Sequence, residues 1–516
     1  LVYTLPIRVA LNDLYENRLQ RYSDGDHVGL LHSTGFLLIP PPTRDDYWEW
    51  ERMAHEALFL SRNLSYPLML ATPDQVLLSS LGYHGHEKLA AYAPYSHVVV
   101  DEVQAYNPEM LAIVIESVRA MRQLGAKVTV MTATLPRFVR DMLEEMGVRA
   151  VDAEEYARSL STEVKNLRVR RHVVRVRAVP PGDVEGAIAE EALGALAEPS
   201  RRLLLVVVNT VPRAIRVYHA LHERAGSRAD VELIHSRLLE RRKEEVVKMA
   251  KGGGRTGNGR PLILVATQVL EASVDVDADY MVTELSGADS LVQRMGRVYR
   301  NREGHYDGGT NVVVVAAVEG GGPVDRSRLY DGRVLGRTLE ALEDLEGTVL
   351  GYPEEKRLVE EVFSDERLVD EYRKKYGRTI DFVRTDPARS RTEAQRIFRN
   401  MSTRSYCVVD LLDSGLRGKL RSEGGRPSLL ELREIYMNSF SLPAFVSKKY
   451  KGVLEGMRAG GVKWRWSNLE FLEIGSGAGN VSRIIGTIEV EGMESLLMDG
   501  GGVPEEREWE WETVRR

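Results

Sequence analysis

The chain of 516 residues holds one cysteine, Cys407. A single thiol excludes a disulfide framework, and it excludes any zinc or iron–sulfur site built from several thiolates of this chain. No run of about 18 apolar residues is present, which leaves no candidate transmembrane helix. There is likewise no cationic leader ahead of an apolar stretch and no lipidation motif, so neither membrane nor export is indicated and a reducing cytoplasm is expected. Excess positive charge is also lacking: 70 Lys and Arg stand against 76 Asp and Glu, a net charge of −6. A histone-like polycation is excluded, and any nucleic-acid contact must come from a local patch. No internal repeat of solenoid period occurs. The 43% of hydrophobic residues are enough for real cores, and at roughly 150 residues per domain the length suits two to four domains.

Short Val-, Ile- and Leu-rich runs alternate with longer helical patterns, the pattern of parallel strands buried on both faces, so the fold class is α/β. Strands are expected at His97 to Val100, Val128 to Met131, Leu203 to Val208, Val231 to Ile234, Leu262 to Ala266 and Asn311 to Val318. Between the first two lies NPEMLAIVIESVRAMRQLG. Asn107 can cap it, Pro108 suits its first turn, Leu111, Val114, Ile115, Val118 and Met121 share a face, and Gly125 ends it. This is the crossover helix of a βαβ unit. A break falls near Glu163 to Pro181, where a strand-like alternation of Arg and Val ends in two prolines and a glycine, and past about residue 350 the strand rhythm fades. Three domains are therefore expected, at 1–165, 166–345 and 346–516, the last an accessory domain.

The strongest local signal is VVVDEVQAY, Val98 to Tyr106, where Asp101 and Glu102 follow a buried run. A carboxylate pair at a strand's C-terminal edge can hold a hydrated Mg²⁺ with one member, here Asp101, and orient an attacking water with the other, Glu102. VTVMTATLP then brings Thr132, Ala133 and Thr134 to the same sheet edge. Much later QRMGRVYR places Gln293, Arg294, Arg297 and Arg300 within two helical turns, grouping guanidiniums that suit a phosphoryl group.

In this order the stretches resemble a superfamily 2 DExH-box helicase, and among these the CRISPR-associated helicase of type I interference systems. The resemblance rests on DEVQAY, TATLP, IHSRLLERR at Ile234 to Arg242, and the block from Ile263 to Arg300, ILVATQVLEASVDVDADYMVTELSGADSLVQRMGRVYR. It covers roughly residues 1 to 345. It implies two RecA-like parallel-sheet lobes, the first N-terminally incomplete, with ATP and Mg²⁺ as cofactors and single-stranded DNA as substrate. It also implies recruitment to an RNA-guided surveillance complex and delivery of the strand to an HD nuclease.

The resemblance further implies roles residue by residue. Pro6 and Arg8 in YTLPIR, Thr72 in ATPDQ, Asn209 and Thr210 in VVVNTVP, Ser236 and Thr267 lie along the nucleic-acid backbone. Asp275 approaches the nucleotide sugar. Gln104, Thr132, Thr134 and Arg294 couple the nucleotide to the rest, while Gln293, Arg297 and Arg300 face the γ-phosphate, one of the two last as arginine finger.

Several positions depart from the family pattern. Gln104 stands where the box usually has histidine, and Ser273 where glycine is usual. No G-x-x-x-x-G-K-[ST] occurs; the one Gly-Lys pair, Gly418-Lys419, is followed by Leu420. The loop that cradles β- and γ-phosphates is thus expected to have been lost from the front by truncation or a split gene, leaving the 516 residues inactive by themselves. No His-Asp dipeptide occurs, so the nuclease is expected on a separate polypeptide. Two alternatives stay open: a non-catalytic helicase relic that binds nucleic acid, and another superfamily 2 translocase such as a restriction-enzyme motor. All six tryptophans form W-x-W pairs (48/50, 464/466, 509/511), read as core or rim packing ahead of base stacking. The arginines 168, 170, 171, 175 and 177 either border the strand path or mark an edge strand.

Overall fold

The computed structural model describes residues 1–19, 27–32, 34–38, 47–132, 137–152, 156, 169–254, 259–273, 275–327, 329–385, 387–399, 403–449, 451–464 and 469–473. It divides into two compact units, Leu1–Asp152 with Phe363–Ser402, and Ala153–Val362 with Thr403–Arg516. Residues 346–516, expected as one accessory domain, are thus shared between the two units.

The first unit is built on β1 (Val2–Thr4), β2 (Val28–Leu31), β3 (Leu68–Ala71), β4 (His97–Val100) and β5 (Lys127–Val130), in the order β2-β3-β1-β4-β5. Every pairing is parallel. Parallel strands share one C-terminal edge, so the segments that follow β1, β3, β4 and β5 emerge together. The crossover helix forms as the sequence predicts, over Pro108–Gln123, with the Asn107 side chain accepting the Met110 N–H at 2.8 Å. Leu111, Val114, Ile115 and Val118 are buried against the sheet. The chain leaves the helix through Gly125 at φ 100°, a conformation glycine adopts without steric cost. Helix Glu366–Thr385 packs on this crossover helix, and Arg384 reaches Glu116 at 3.3 Å.

The second unit carries β6 (His172–Val179), β7 (Leu203–Val207), β8 (Asp230–Ile234), β9 (Leu262–Ala266), β10 (Tyr280–Glu284), β11 (Val312–Glu319), β12 (Gly322–Pro323) and β13 (Val349–Leu350). Their order is β13-β6-β11-β10-β7-β9-β8, with β12 hairpinned onto β11. β13 runs antiparallel to β6, and the other neighbours are parallel. The Arg/Val stretch is β6, which pairs with β11 from Val174 to Val179 and with the two-residue β13 at His172 and Val173. Its arginines are engaged within the unit: Arg175 and Arg177 reach Glu191 at 2.5 and 3.0 Å, and Arg177 reaches Glu190 at 2.7 Å. Arg170 pairs with Glu354 at 3.2 Å. Arg168 lies outside the described residues. From Val174 to Val179 the strand has β11 as its one strand neighbour among the described residues, the edge position that one expectation named, and glutamates of helix Val184–Ala195 pair with its arginines there.

A smaller sheet of β14 (Thr403–Val408), β15 (Ser439–Pro443) and β16 (Leu469–Leu472), in the order β15-β14-β16, contributes Tyr406, Val408, Phe440 and Leu442 to the core of the second unit. Cys407 sits on β14 with no solvent exposure, and burial pushes its thiol up to about 12. Trp464 packs edge-on against Phe471 at 6.2 Å, a core contact. Trp48 and Trp50 lie on helix Tyr47–Arg62. Trp466, Trp509 and Trp511 fall outside the described residues. No helix among the described residues is long and apolar enough to cross a membrane.

Candidate functional site

In the first unit the acidic pair stands where β4 ends. The Asp101 N–H donates to the Thr4 carbonyl at 3.0 Å, carrying the sheet ladder to this residue. The Asp101 carboxylate accepts from both sides, from the Glu102 N–H at 2.8 Å and from the Tyr3 hydroxyl. Burial and that bond to Asp101 push the Tyr3 hydroxyl far up, so it remains a donor. Glu102 takes a left-handed backbone, φ 54° and ψ 44°, unusual for a residue with a side chain and typical of positions that the surrounding structure over-determines. Its carboxylate accepts from the Gln104 amide nitrogen, while the Gln104 amide oxygen accepts from the Thr132 hydroxyl at the end of β5. Glutamine can relay in this way because it carries a donor and an acceptor at once. Thr134 lies outside the described residues.

The same edge carries the expected strand contacts. Pro6 and Arg8 follow β1, and Arg8 opens helix Arg8–Asp13. Thr72 follows β3 and is 4% exposed; its hydroxyl has no hydrogen-bond partner among the described residues. Beside them lies His32, after β2. Its Nδ1 accepts the Thr34 N–H at 3.2 Å, so Nε2 carries the proton and donates to Asn12 Oδ1 at 2.7 Å. Burial, helped by the Arg8 guanidinium and opposed by Asp74, pulls His32 down to about 3. An open pocket of about 40 Å³ sits next to Gln75, with Arg62, Lys88 and Arg391 in its wall.

In the second unit Asn209, Thr210, Ser236 and Thr267 follow β7, β8 and β9 on one edge. Thr210 caps helix Val211–Ala225, accepting from the Arg213 N–H. Ser236 is exposed and Thr267 is buried. His235 precedes Ser236, is fully buried, accepts the Arg237 N–H at 3.1 Å, and is pulled down to about 3 by burial, with Arg237 and Lys243 adding to the shift. Sequence reasoning misses both histidines, although LLHST and LIHSR carry the same strand-His-Ser signal in the two units.

Asn209 and Arg294 are enclosed in one network. Asn209 receives Gln268 Nε2 on its carbonyl at 2.8 Å, donates Nδ2 to the Leu285 carbonyl at 2.8 Å, and accepts Arg294 Nη2 at 3.0 Å. Arg294 also donates to Glu271 at 2.8 Å, to the Thr283 hydroxyl at 2.9 Å and to the Glu284 carbonyl at 3.0 Å. Arg294 is 1% exposed and links the ends of β7 and β10.

Helix Ala288–Met295 ends at Gly296, so Arg297 and Arg300 lie beyond it, and the four residues of QRMGRVYR do not share one helix. Gln293 is partly exposed on the helix. Arg297 donates Nη2 to the Glu271 carbonyl. Arg300 Nε pairs with Asp275 at 3.2 Å, both about one-third exposed, and its N–H donates to Asp277 at 2.8 Å. The structure therefore joins Arg300 and Asp275 directly, a link the sequence does not show.

Comparison with known proteins decides what these sets belong to. A family model described as CRISPR-associated nuclease/helicase Cas3, C-terminal, matches residues 200–303. Over 424 residues the chain is 36% identical to the CRISPR-associated nuclease/helicase Cas3 of Methanothermobacter thermautotrophicus, covering 79% of this chain and 48% of that protein. The chain is similar to Cas3 proteins along most of its length. The CRISPR-associated endonuclease/helicase Cas3 of Escherichia coli is 26% identical over 345 residues, 63% of this chain and 38% of that one. The chain spans about half the length, or less, of these curated Cas3 relatives. A crystal structure of T. fusca Cas3 with ADP matches with a TM-score of 0.70 at 20% identity, over 92% of this chain and 61% of that one. A chain of a pre-nicking CRISPR RNA-guided surveillance complex matches with a TM-score of 0.59 at 19% identity, over 90% of this chain and 66% of that one. At these identities the likeness is one of fold, and it identifies the two parallel sheets as the RecA-like lobes of Cas3, accompanied by the small C-terminal sheet.

Proposed function

We propose that this chain is the motor of an ATP-dependent helicase that translocates on single-stranded DNA in CRISPR interference. It docks on an RNA-guided surveillance complex and feeds the displaced strand to an HD nuclease that lies outside these 516 residues. The observation that supports this reading most is the acidic loop, in which Asp101 and Glu102 are oriented separately and Glu102 is tied through Gln104 to Thr132.

The acidic pair fits a magnesium nucleotide. Mg²⁺ prefers oxygen and keeps several waters, and each Asp101 oxygen, having accepted one hydrogen bond, retains a lone pair for such a water. Bound there, Mg²⁺ would neutralise charge on the phosphates. Glu102 orients the attacking water, its carboxylate aimed by Gln104. Arg297 and Arg300 supply positive charge to the transferring phosphoryl group, and Arg300 leaves Asp275 to do so. Their lasting charge and planar fork suit that task.

Pro6, Arg8, Thr72, Ser236 and Thr267 meet the strand's backbone, and Arg62 and Lys88 extend the cationic surface beside Gln75. Hydroxyls and cations of this kind read phosphate, not base edges. Titrating single-stranded DNA across a salt series tests this. Affinity should fall steeply with salt, vary little with sequence, and drop for every sequence alike in Thr72→Ala plus Thr267→Ala. Salt-insensitive or strongly base-selective binding overturns the path.

No G-x-x-x-x-G-K-[ST] occurs within these residues, so the 516-residue polypeptide by itself should turn over ATP slowly. A P-loop-bearing segment, fused before Leu1 or added separately, should restore Mg²⁺-dependent hydrolysis stimulated by single strands. Failure of that rescue would favour a nucleic-acid-binding relic without catalysis.

A further inference from the structure

Helix Arg391–Arg399 follows the second lobe in sequence yet belongs to the first unit, more than 300 residues from the loop it touches. Three residues spaced by four share one face of it, and each donates to that loop. Arg391 Nη2 donates to the Gln75 carbonyl at 3.1 Å and to its side-chain oxygen at 2.9 Å. Gln395 Nε2 donates to the Asp74 carbonyl at 3.2 Å, and Arg399 Nη2 to Asp74 Oδ2 at 2.5 Å. Asp74 is only 5% exposed, so its charge depends on these donors and on Gln75 Nε2 at 2.8 Å. The helix is anchored in the unit by Ala394, Ile397 and Phe398, which are buried, and Phe398 meets Tyr106 edge-on at 6.3 Å.

Asp74 and Gln75 belong to Pro73–Val76, a single turn that begins immediately after Thr72 and has no side-chain cap. So short a turn does not hold its own orientation. We propose that helix Arg391–Arg399 is a clamp that positions Thr72 for the nucleic-acid backbone, with Arg399 and Asp74 as its central pair. The segment following the second lobe thereby sets the strand affinity of the first. The clamp rests on the reading of Thr72 as a strand contact.

The test is single-stranded DNA binding by the full chain over a salt series, for Arg399→Ala, Thr72→Ala, the double variant, and the exchange Asp74→Arg with Arg399→Asp. Arg399→Ala should weaken binding about tenfold, the equivalent of one lost phosphate hydrogen bond. The salt slope should not change, because Arg399 spends its charge on Asp74; a residue that itself neutralised a phosphate would lower the slope by about one. In the Thr72→Ala background Arg399→Ala should add less than about twofold, and the exchange should recover most of the affinity. Should Arg399→Ala destabilise the chain, Arg399→Lys and Gln395→Ala give the same comparison with milder losses. Wild-type binding by the Arg399 and Gln395 variants while Thr72→Ala weakens it, full additivity with Thr72→Ala, or a reduced salt slope each overturns the clamp. A Thr72→Ala chain that binds normally overturns the strand-contact reading and the clamp with it.

Discussion

Arg294 and Glu271 form an ion pair that water scarcely reaches, Nε to Oε1 at 2.8 Å with Arg294 1% exposed. Burial pushes the Glu271 carboxyl up and the facing guanidinium opposes that shift. Arg294→Ala leaves Glu271 unpaired and removes a donor from each of Asn209 and Thr283, so it should cost about 3–5 kcal/mol of stability. Arg294→Lys should recover part, since an ammonium cannot replace the fork. Urea unfolding measures both; a stable Arg294→Ala chain that had lost only nucleotide turnover would return Arg294 to the nucleotide.

Glu102→Gln and Arg300→Ala, each in a polypeptide carrying a P-loop, should bind ATP nearly as before and hydrolyse it poorly. For Arg300 the loss should be about 10³ to 10⁵ in rate if it is the finger. Asp275→Asn is the companion variant. It frees Arg300 from the 3.2 Å pair and should change turnover far less than Arg300→Ala. Single-turnover kinetics with a separate nucleotide-binding assay distinguish these effects; wild-type turnover in both Glu102→Gln and Arg300→Ala removes them from the catalytic set.

Gln104→Ala breaks the relay from Glu102 to Thr132 while leaving both end residues in place. Stimulation of hydrolysis by single-stranded DNA should fall by about tenfold, the scale of one lost hydrogen bond to a charged group. Basal hydrolysis should fall less. Thr132→Val should reproduce the effect. Equal loss of basal and stimulated rates would make Gln104 a plain support for Glu102.

His235 is buried, and its ring is pulled down to about 3 from an ordinary 6.5. The unfolded chain therefore binds a proton that the folded chain refuses between those two values. The stability contribution is complete above about pH 6.5 and is lost as the pH falls toward 3, at up to about 1.4 kcal/mol per pH unit for one proton. His32 acts in the same direction in the first unit. His235→Asn keeps an acceptor for the Arg237 N–H and removes the titration, so its urea midpoints at pH 4.5, 5.5 and 6.5 should vary less than those of the parent. An unchanged pH slope would exclude His235 as a source of acid sensitivity.

What the sequence by itself determined is what local pattern can encode. Asn107, Pro108 and Gly125 punctuate the crossover helix, the run ending at Val100 delivers Asp101 and Glu102 to a strand end, and the ordered motifs carry the resemblance to the helicase family. No strand is expected from the sequence at β1, β2 or β3, and only the sheet itself reveals them. Tertiary structure alone decided which arginines are buried and which reach the surface. Arg294 and Arg300 stand six residues apart in one motif, yet Arg294 meets Asn209, 85 residues away, and is buried, while Arg300 stays partly exposed beside Asp275. It also decided that Phe363–Ser402 joins the first unit, through the pairs Arg384 with Glu116 and Arg399 with Asp74. The physical reason is range. Capping, turn chemistry and hydrophobic period act over a few residues and are written in order along the chain, whereas the burial and pairing of a charge depend on whatever distant segments the fold brings against it.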